Sequence, residues 1–148
     1  MIPLKFTGST IANRPMIPVL FEVPALNISE IIHFLVDSGA VFSALSEKQA
    51  TLLKIDCALL PDSKGSAIGF GGTFKTKMIN SPVRLTFSSG KDRHTVNYDS
   101  GFRITCIPPS TKAEDREKLL RFTPSVLGMD VLSKFDLHID KKRVELTL

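Results

Sequence analysis

The chain has 148 residues and a net charge of +4, with 43% hydrophobic and 23% charged residues. This length and composition predict one globular domain, 1–148, with a core of its own. No apolar run is long enough to span a bilayer, and lysine and arginine are scattered among the acidic residues. We therefore expect no membrane segment and no nucleic-acid partner.

The N-terminus and the cysteines bear on the compartment of the chain. The first residues lack a basic region followed by an apolar one, so no signal peptide is indicated. Cys57 and Cys106 are far apart in the sequence, form no metal-ligand spacing and are interpreted as two buried free thiols. These features predict a cytoplasmic protein, and no metal-ligand cluster is visible in the sequence.

The first predicted elements are two strands that form a hairpin, Met16–Val23 and Ile31–Val36. The second strand is an apolar run that stops at Asp37, and Ser38 and Gly39 follow. This order would hold a carboxylate at the end of a rigid strand, beside a hydroxyl and backbone N–H groups, as a catalytic acid or base requires. The same residue types also form ordinary turns, because Asp and Ser bond their own backbone, so both interpretations stay open here.

A short helix and a glycine-rich hairpin are predicted next. Ser46 and Gln49 have the spacing of a capping box, which predicts a helix from about Glu47 to Lys54. The stretch 67–74 then places three glycines around Phe70, which predicts a hairpin turn and matches no phosphate-binding spacing. A large apolar residue at a hairpin tip has no core of its own, so we expect Phe70 to cover another surface.

Three further strands are predicted in the middle of the chain: Pro82–Phe87, Arg93–Tyr98 and Phe102–Ile107. The last two are separated by Asp99, Ser100 and Gly101, which repeat the residue types of the earlier motif. This second copy follows a polar residue and a tyrosine rather than an apolar run. We therefore interpret it as the turn of a hairpin.

The last third of the chain begins with a polar stretch, 108–123, which we interpret as a surface insertion carrying a short helix. Val126, Leu127 and Gly128 form an apolar strand end with a glycine. A helix is predicted after it, with Met129, Leu132 and Phe135 on one face. The remaining predicted strands are Asp136–Asp140 and Arg143–Leu148.

Three ordered motifs make the chain resemble the retropepsin-like aspartic proteases, the single-lobed, retroviral-type peptidases. The resemblance covers about Met16 to Asp140, and its strongest matches are Leu35–Ala40, Ile68–Gly72 and Val126–Leu132. It implies a mainly β fold, a closed acid-protease-like barrel of one lobe with one or two short helices, and a dimer. It also implies an aspartic endopeptidase that needs no metal and no other cofactor.

The resemblance assigns a role to each motif residue. Asp37 matches the catalytic aspartate, Ser38 the hydroxyl that bonds across the dimer, and Gly39 and Ala40 the rest of that loop. Asp130 starts the helix behind the loop, where an acidic residue suits the positive end of a helix. The other matched positions are the flap that closes over substrate, Ile68, Gly69, Phe70, Gly71 and Gly72, and the late strand behind the active loop, Val126, Leu127 and Gly128.

One position departs from the retroviral pattern. Retroviral members often carry an aspartate after the alanine, where it contacts the backbone of the substrate, and this chain has Val41. A more apolar substrate site is therefore expected.

The chemistry of the family requires two carboxylates that share a proton, and the chain offers one matching motif, so the resemblance implies a homodimer acting on peptide or protein substrates. The alternative from another class is a dimeric peptide-binding or scaffold module without turnover. A domain that is fused to, or cut from, a larger protein is a third possibility.

Overall fold

The computed structural model describes residues 3–69 and 72–148, with the backbone alone for 64–69 and 72–73. In this part of the chain the protein is mainly β, with three short α-helices, α1 (Glu47–Leu52), α2 (Ala113–Phe122) and α3 (Met129–Leu132). The strands are β1 (Lys5–Ile11), β2 (Arg14–Val23), β3 (Ile28–Val36), β4 (Ala44–Ser46), β5 (Asp62–Gly69), β6 (Gly72–Ile79), β7 (Val83–Ser89), β8 (Asp92–Tyr98), β9 (Phe102–Cys106), β10 (Val126–Leu127), β11 (Asp136–Ile139) and β12 (Arg143–Thr147). Two 3₁₀ turns, η1 (Pro24–Leu26) and η2 (Cys57–Leu59), complete the described elements.

The strands form one sheet whose hydrogen-bonded order is β11-β12-β1-β2-β3-β10-β4-β9-β6-β5, with β7 paired to β2 and β8. The path has two free ends, β11 and β5, within the described residues. The closed barrel expected from the resemblance is therefore not observed, and there are three α-helices rather than one or two. The mainly β fold itself is confirmed.

The core lies beneath the β2–β3 hairpin, which leads directly to Asp37. Ile17, Val19 and Phe21 alternate along β2 and are buried, and Phe34 on β3 is fully buried beside them. Strand pairing runs antiparallel from Met16 opposite Leu35 to Val23 opposite Ile28, as predicted. Because each strand buries one face, a slip of one residue would expose these side chains, so the register that positions Asp37 is well determined.

Helix α1 begins as the capping motif predicts and ends early. The Gln49 N–H donates to Ser46 Oγ at 3.2 Å, which confirms Ser46 as the N-cap. The Ser46 N–H instead donates to Ser125 Oγ at 3.0 Å, so the return bond of a capping box is replaced by a bond to the residue just before β10. Lys54 has a positive φ of 63°, which ends the helix before the predicted boundary.

The prediction that Asp99, Ser100 and Gly101 join two paired strands is wrong. They do form a turn, in which the Gly101 N–H donates to Tyr98 O at 3.4 Å. However, β8 pairs with β7, whereas β9 pairs with β4 and β6. The polar residues correctly indicate that the chain turns here. Which strands β9 pairs with depends instead on the alternating side chains that β9 buries.

The predicted apolar face of the last helix is wrong at one position. Leu132 and Phe135 are buried, but Met129 is 42% exposed. Helix α3 has only four residues, too few for a continuous face, and Phe135 lies beyond its end.

The polar segment 108–123 carries α2, which has no buried residue. Arg116 on this helix forms a 2.6 Å ion pair with Glu47 at the start of α1. None of the described helices is long and apolar enough to cross a membrane.

Candidate active site

Asp37 lies half-buried immediately after β3, in a loop held by short hydrogen bonds. Its N–H donates to Leu127 O at 3.1 Å, and its carbonyl accepts from the Ala40 N–H at 3.1 Å. Its carboxylate oxygen Oδ1 accepts from the Gly39 N–H at 2.8 Å. The backbone of Asp37 is thus held on both sides, and its carboxylate is oriented by one bond at Oδ1, which suits acid–base chemistry.

Gly39 is required by space rather than by backbone angle. It does not adopt a left-handed conformation, and a Cβ built on it would lie 3.1 Å from Asp37 Oδ1. The hydrogen bond from the Gly39 N–H to Asp37 Oδ1 thus depends on the close approach that a residue without a side chain allows. Ser38 beside it is exposed.

Strand β10 supports the loop from behind. It runs parallel to β3, with Val126 opposite Leu35 and Leu127 opposite Val36. Gly128 follows β10 and packs closely against the backbone of the segment after Asp37. A Cβ on Gly128 would lie 2.8 Å from Ala40 O and 2.7 Å from Phe42 C. The family resemblance implied that these residues lie behind the Asp37 loop, and the structure brings them together there.

Asp130 makes more contacts than a helix-terminal residue would need. Its Oδ1 accepts from the Ser43 hydroxyl at 2.7 Å and from the Ser43 N–H at 3.0 Å. Its Oδ2 accepts from the Tyr98 hydroxyl at 2.8 Å. The Ser43 hydroxyl oxygen also accepts from the Gly128 N–H at 2.9 Å, which links Asp130 to the strand behind the loop.

We call Ser43, Tyr98, Gly128 and Asp130 the brace. Sequence reasoning missed Ser43 and Tyr98, although each left a signal: Ser43 is a hydroxyl within an apolar run, and Tyr98 is the only tyrosine of the chain. Burial raises the pKa of the Tyr98 phenol above its ordinary value of 10.0. The phenol therefore stays protonated at neutral pH and remains a hydrogen-bond donor to Asp130.

An exposed apolar surface lies next to the Asp37 loop. Val41 is 67% exposed and Phe42 is 51% exposed. The guanidinium of Arg103 lies over the Phe42 ring, 3.9 Å from its centroid. An exposed apolar pair beside a fixed carboxylate is a suitable surface for an apolar side chain of a ligand or of a second subunit.

The predicted glycine-rich hairpin is confirmed in its backbone. Strands β5 and β6 pair antiparallel, with Ile68 opposite Thr73 and Gly69 opposite Gly72. Phe70, which we expected to cover another surface, and Gly71 lie outside the described residues.

The structure brings together a second group of reactive side chains that the sequence did not indicate. Cys57 Sγ, Cys106 Sγ and a Glu47 carboxylate oxygen all lie within 4.8 Å of one another. Cys106 is buried as expected, but Cys57 is only partly buried. The three residues also line a cavity of about 780 Å³, and no residue of the Asp37 loop is among those that line it.

No protein-family model matches the chain, and no curated protein sequence matches it. Among solved structures, it is similar to a retropepsin-like aspartic protease from Rickettsia conorii, with a TM-score of 0.55 and 21% identity over 100% of this chain and 99% of that one. It is also similar to the EIAV protease in complex with an inhibitor, with a TM-score of 0.43 and 19% identity over 84% of this chain and 89% of that one. The Rickettsia structure confirms the resemblance at the level of the fold.

Proposed function

We propose that the chain is an aspartic endopeptidase that acts as a homodimer and hydrolyses peptide bonds with a pair of Asp37 carboxylates, one from each subunit. The observation that supports this most is the Asp37 loop itself. A carboxylate at the end of β3, with Oδ1 bonded to the Gly39 N–H at 2.8 Å, lies within a fold shared with a retropepsin-like protease.

The proposed reaction divides its two tasks between the two carboxylates. The ionised one removes a proton from water, which attacks the carbonyl carbon of the scissile bond, while the protonated one donates a hydrogen bond to the carbonyl oxygen. The leaving nitrogen then takes a proton, and the bond breaks. Because two like charges so close cannot both stay ionised, the pair shares one proton.

The proposed dimer has a two-fold axis near the Asp37 loop. Ser38 is exposed, so its hydroxyl is available to a bond across such an axis. The chain contains a second Asp-Ser-Gly, but Asp99 is exposed on a turn between strands that do not pair, so we do not assign it as the second carboxylate. A second copy of Asp37 is therefore the proposed partner.

The proposed substrate cleft lies between the Asp37 loop and the β5–β6 hairpin. We assign Val41 to an apolar substrate site, since it is exposed directly after the loop. The hairpin residues Ile68, Gly69, Phe70, Gly71 and Gly72 are assigned to a flap over the substrate.

Cleavage of a mixed peptide library by the wild type and by Asp37→Asn across pH tests the proposal. The variant keeps the shape of the side chain but has no ionisable carboxyl, so we expect cleavage to fall by about 10²–10⁴-fold or more. The wild-type rate should fall on both sides of a pH optimum, because the reaction needs one ionised and one protonated carboxyl in the pair.

Asp99→Asn is the matched control, because it makes the same substitution in the same residue triplet on an exposed turn. It should cleave as the wild type does. Equal cleavage by the wild type and Asp37→Asn would refute the assignment. A dimer that binds peptides but does not cleave them would instead identify a binding module.

A further inference from the structure

The cavity beside α1 contains the only two cysteines of the chain. Cys57 lies on η2, which precedes β5, and Cys106 is the last residue of β9. Their sulfur atoms lie within 4.8 Å of each other although the residues are far apart in sequence. Cys57 is partly exposed and Cys106 is buried, so a reagent in the cavity meets the two thiols unequally.

We propose that Cys57 and Cys106 are a redox-active pair that a small hydroperoxide converts to a reversible disulfide, with Cys57 as the attacking thiol and Cys106 as the resolving one. This modification site is separate from the Asp37 loop and does not depend on the proposed protease activity.

The reaction balances in two steps. The Cys57 thiolate attacks the outer oxygen of the hydroperoxide, the O–O bond breaks, and Cys57 sulfenic acid and an alcohol or water form after the leaving oxygen takes a proton. The Cys106 sulfur, after losing its proton, then attacks the sulfenic sulfur; the S–S bond forms and the hydroxyl leaves as water. The two thiols are oxidised by two electrons in total, and the hydroperoxide is reduced.

The surroundings of the pair favour this order of attack. The interaction with the Cys106 side chain lowers the pKa of Cys57, and the Lys77 ammonium acts weakly in the same direction, whereas burial and the carboxylates of Glu47 and Asp56 oppose it. The same interaction with Cys57, together with burial, raises the pKa of Cys106. The partly exposed sulfur thus has the greater thiolate character, and the buried one keeps its proton until the second step.

A divalent metal is less well suited to the same three residues. The Glu47 carboxylate already accepts from the Ile107 N–H at 3.2 Å and from the Arg116 guanidinium at 2.6 Å. Lys75 and Lys77 add further positive charge to the lining of the cavity. Cations repel a second cation, and the one carboxylate of the group already accepts two hydrogen bonds, so the site favours the dithiol over a bound divalent metal.

The disulfide would connect two segments at the base of the β5–β6 hairpin. Cys106 lies opposite Lys75 of β6, and η2 ends at Leu59, shortly before β5 begins at Asp62. The bond would therefore restrain the start of β5 relative to the strand beside β6. Because it closes a long loop of the unfolded chain, oxidation should raise the Tm, by roughly 5–10 °C.

The test treats the reduced, desalted chain with hydrogen peroxide and follows thiol titration under denaturing conditions and intact mass. We expect both thiols to disappear, the mass to fall by that of two hydrogen atoms, and a peptide map to show Cys57 joined to Cys106. A dithiol reductant should restore both thiols and the original Tm.

Two single variants assign the roles. Cys106→Ser should stop at a Cys57 sulfenic acid that dimedone traps, whereas Cys57→Ser should leave Cys106 largely unreacted. The opposite pattern, or two free thiols in the wild type after peroxide that oxidises a small dithiol completely, would overturn the proposal. So would zinc that co-purifies in stoichiometric amount and is lost in both variants, since that result would identify a metal centre.

Discussion

The chain contains Asp-Ser-Gly twice, at 37–39 and at 99–101, and the two copies have different structures. The first follows the buried end of strand β3, and its carboxylate is bonded to the Gly39 N–H. The second is a turn after β8 in which Asp99 and Ser100 are exposed and Gly101 is buried, with its backbone at a φ of +108°. The same residue types therefore orient a carboxylate in one place and reverse the chain in the other.

The difference between the copies arises outside the triplets. The Asp37 N–H is bonded to Leu127 O of β10. The segment after Asp37 is held by the hydrogen bond between the Ser43 hydroxyl and the Asp130 carboxylate. Within the part of the chain that the structure describes, no hydrogen bond supports the Asp99 carboxylate, and Gly101 is instead packed against Ile79 O. The proposed catalytic aspartate is thus distinguished from the turn aspartate by the strand before it and by the brace behind it.

Replacing the glycine of each copy by alanine should have the largest effect and should separate their roles. Gly101→Ala places a Cβ 1.9 Å from Ile79 O at a φ that alanine rarely adopts, so we expect a loss of about 2–4 kcal/mol in the free energy of unfolding. Gly39→Ala meets Asp37 Oδ1 at 3.1 Å, so it should cost under about 1 kcal/mol but lower peptide cleavage about 10-fold or more. Urea denaturation and kcat/KM measure the two effects.

Gly90→Ala is the control for a glycine with positive φ and open space, and it should cost less than Gly101→Ala. If Gly39→Ala and Gly101→Ala lose stability equally and Gly39→Ala keeps full activity, the distinction between the two copies is wrong.

Removing the Ser43 hydroxyl tests the brace. Ser43→Ala leaves Asp130 Oδ1 and the Gly128 N–H without their shared partner, so unfolding should become easier by about 1–3 kcal/mol. Cleavage should fall as well, because the segment after the Asp37 loop is less firmly held. Ser100→Ala on the second turn is the matched control and should change neither quantity; a Ser43→Ala chain as stable as that control would contradict the role of the brace.

The smallest expected effect is at high pH. The folded pKa of Tyr98 is raised above its unfolded value of 10.0, so its contribution to stability is complete below that pH and is lost as pH rises towards the folded pKa. The free energy of unfolding should therefore fall more steeply above pH 10 in the wild type than in Tyr98→Phe. Tyrosinate absorbance reports one residue, since the chain has one tyrosine; a titration near 10.0 in the folded protein would contradict the burial of this phenol.

Features that depend on neighbouring residues could be predicted from the sequence. The β2–β3 hairpin, the N-cap Ser46 and the position of Asp37 after β3 all follow from alternation, capping and turn chemistry within a few residues. The helix boundary after Leu52 was missed because a single residue, Lys54, adopts a positive φ that its type does not indicate.

Features that depend on distant contacts could not be predicted in the same way. Asp130 bonds to Ser43 and Tyr98, and Cys57 lies close to Cys106. These residues are far apart in the sequence, and their spacing has no periodicity that would indicate a contact. The partner strands of β9 were also missed, because local turn residues show that the chain turns but not which buried faces then meet.

The most direct test of the central claim mixes wild-type and Asp37→Asn subunits at fixed total protein, after exchange that sedimentation and mass measurements show to be complete. If each site needs one Asp37 from each of two subunits, mixed dimers are inactive and peptide cleavage falls as the square of the wild-type fraction. Mixing with Asp99→Asn should leave cleavage unchanged. A linear fall with the wild-type fraction would mean that one Asp37 is sufficient, and it would contradict the shared pair.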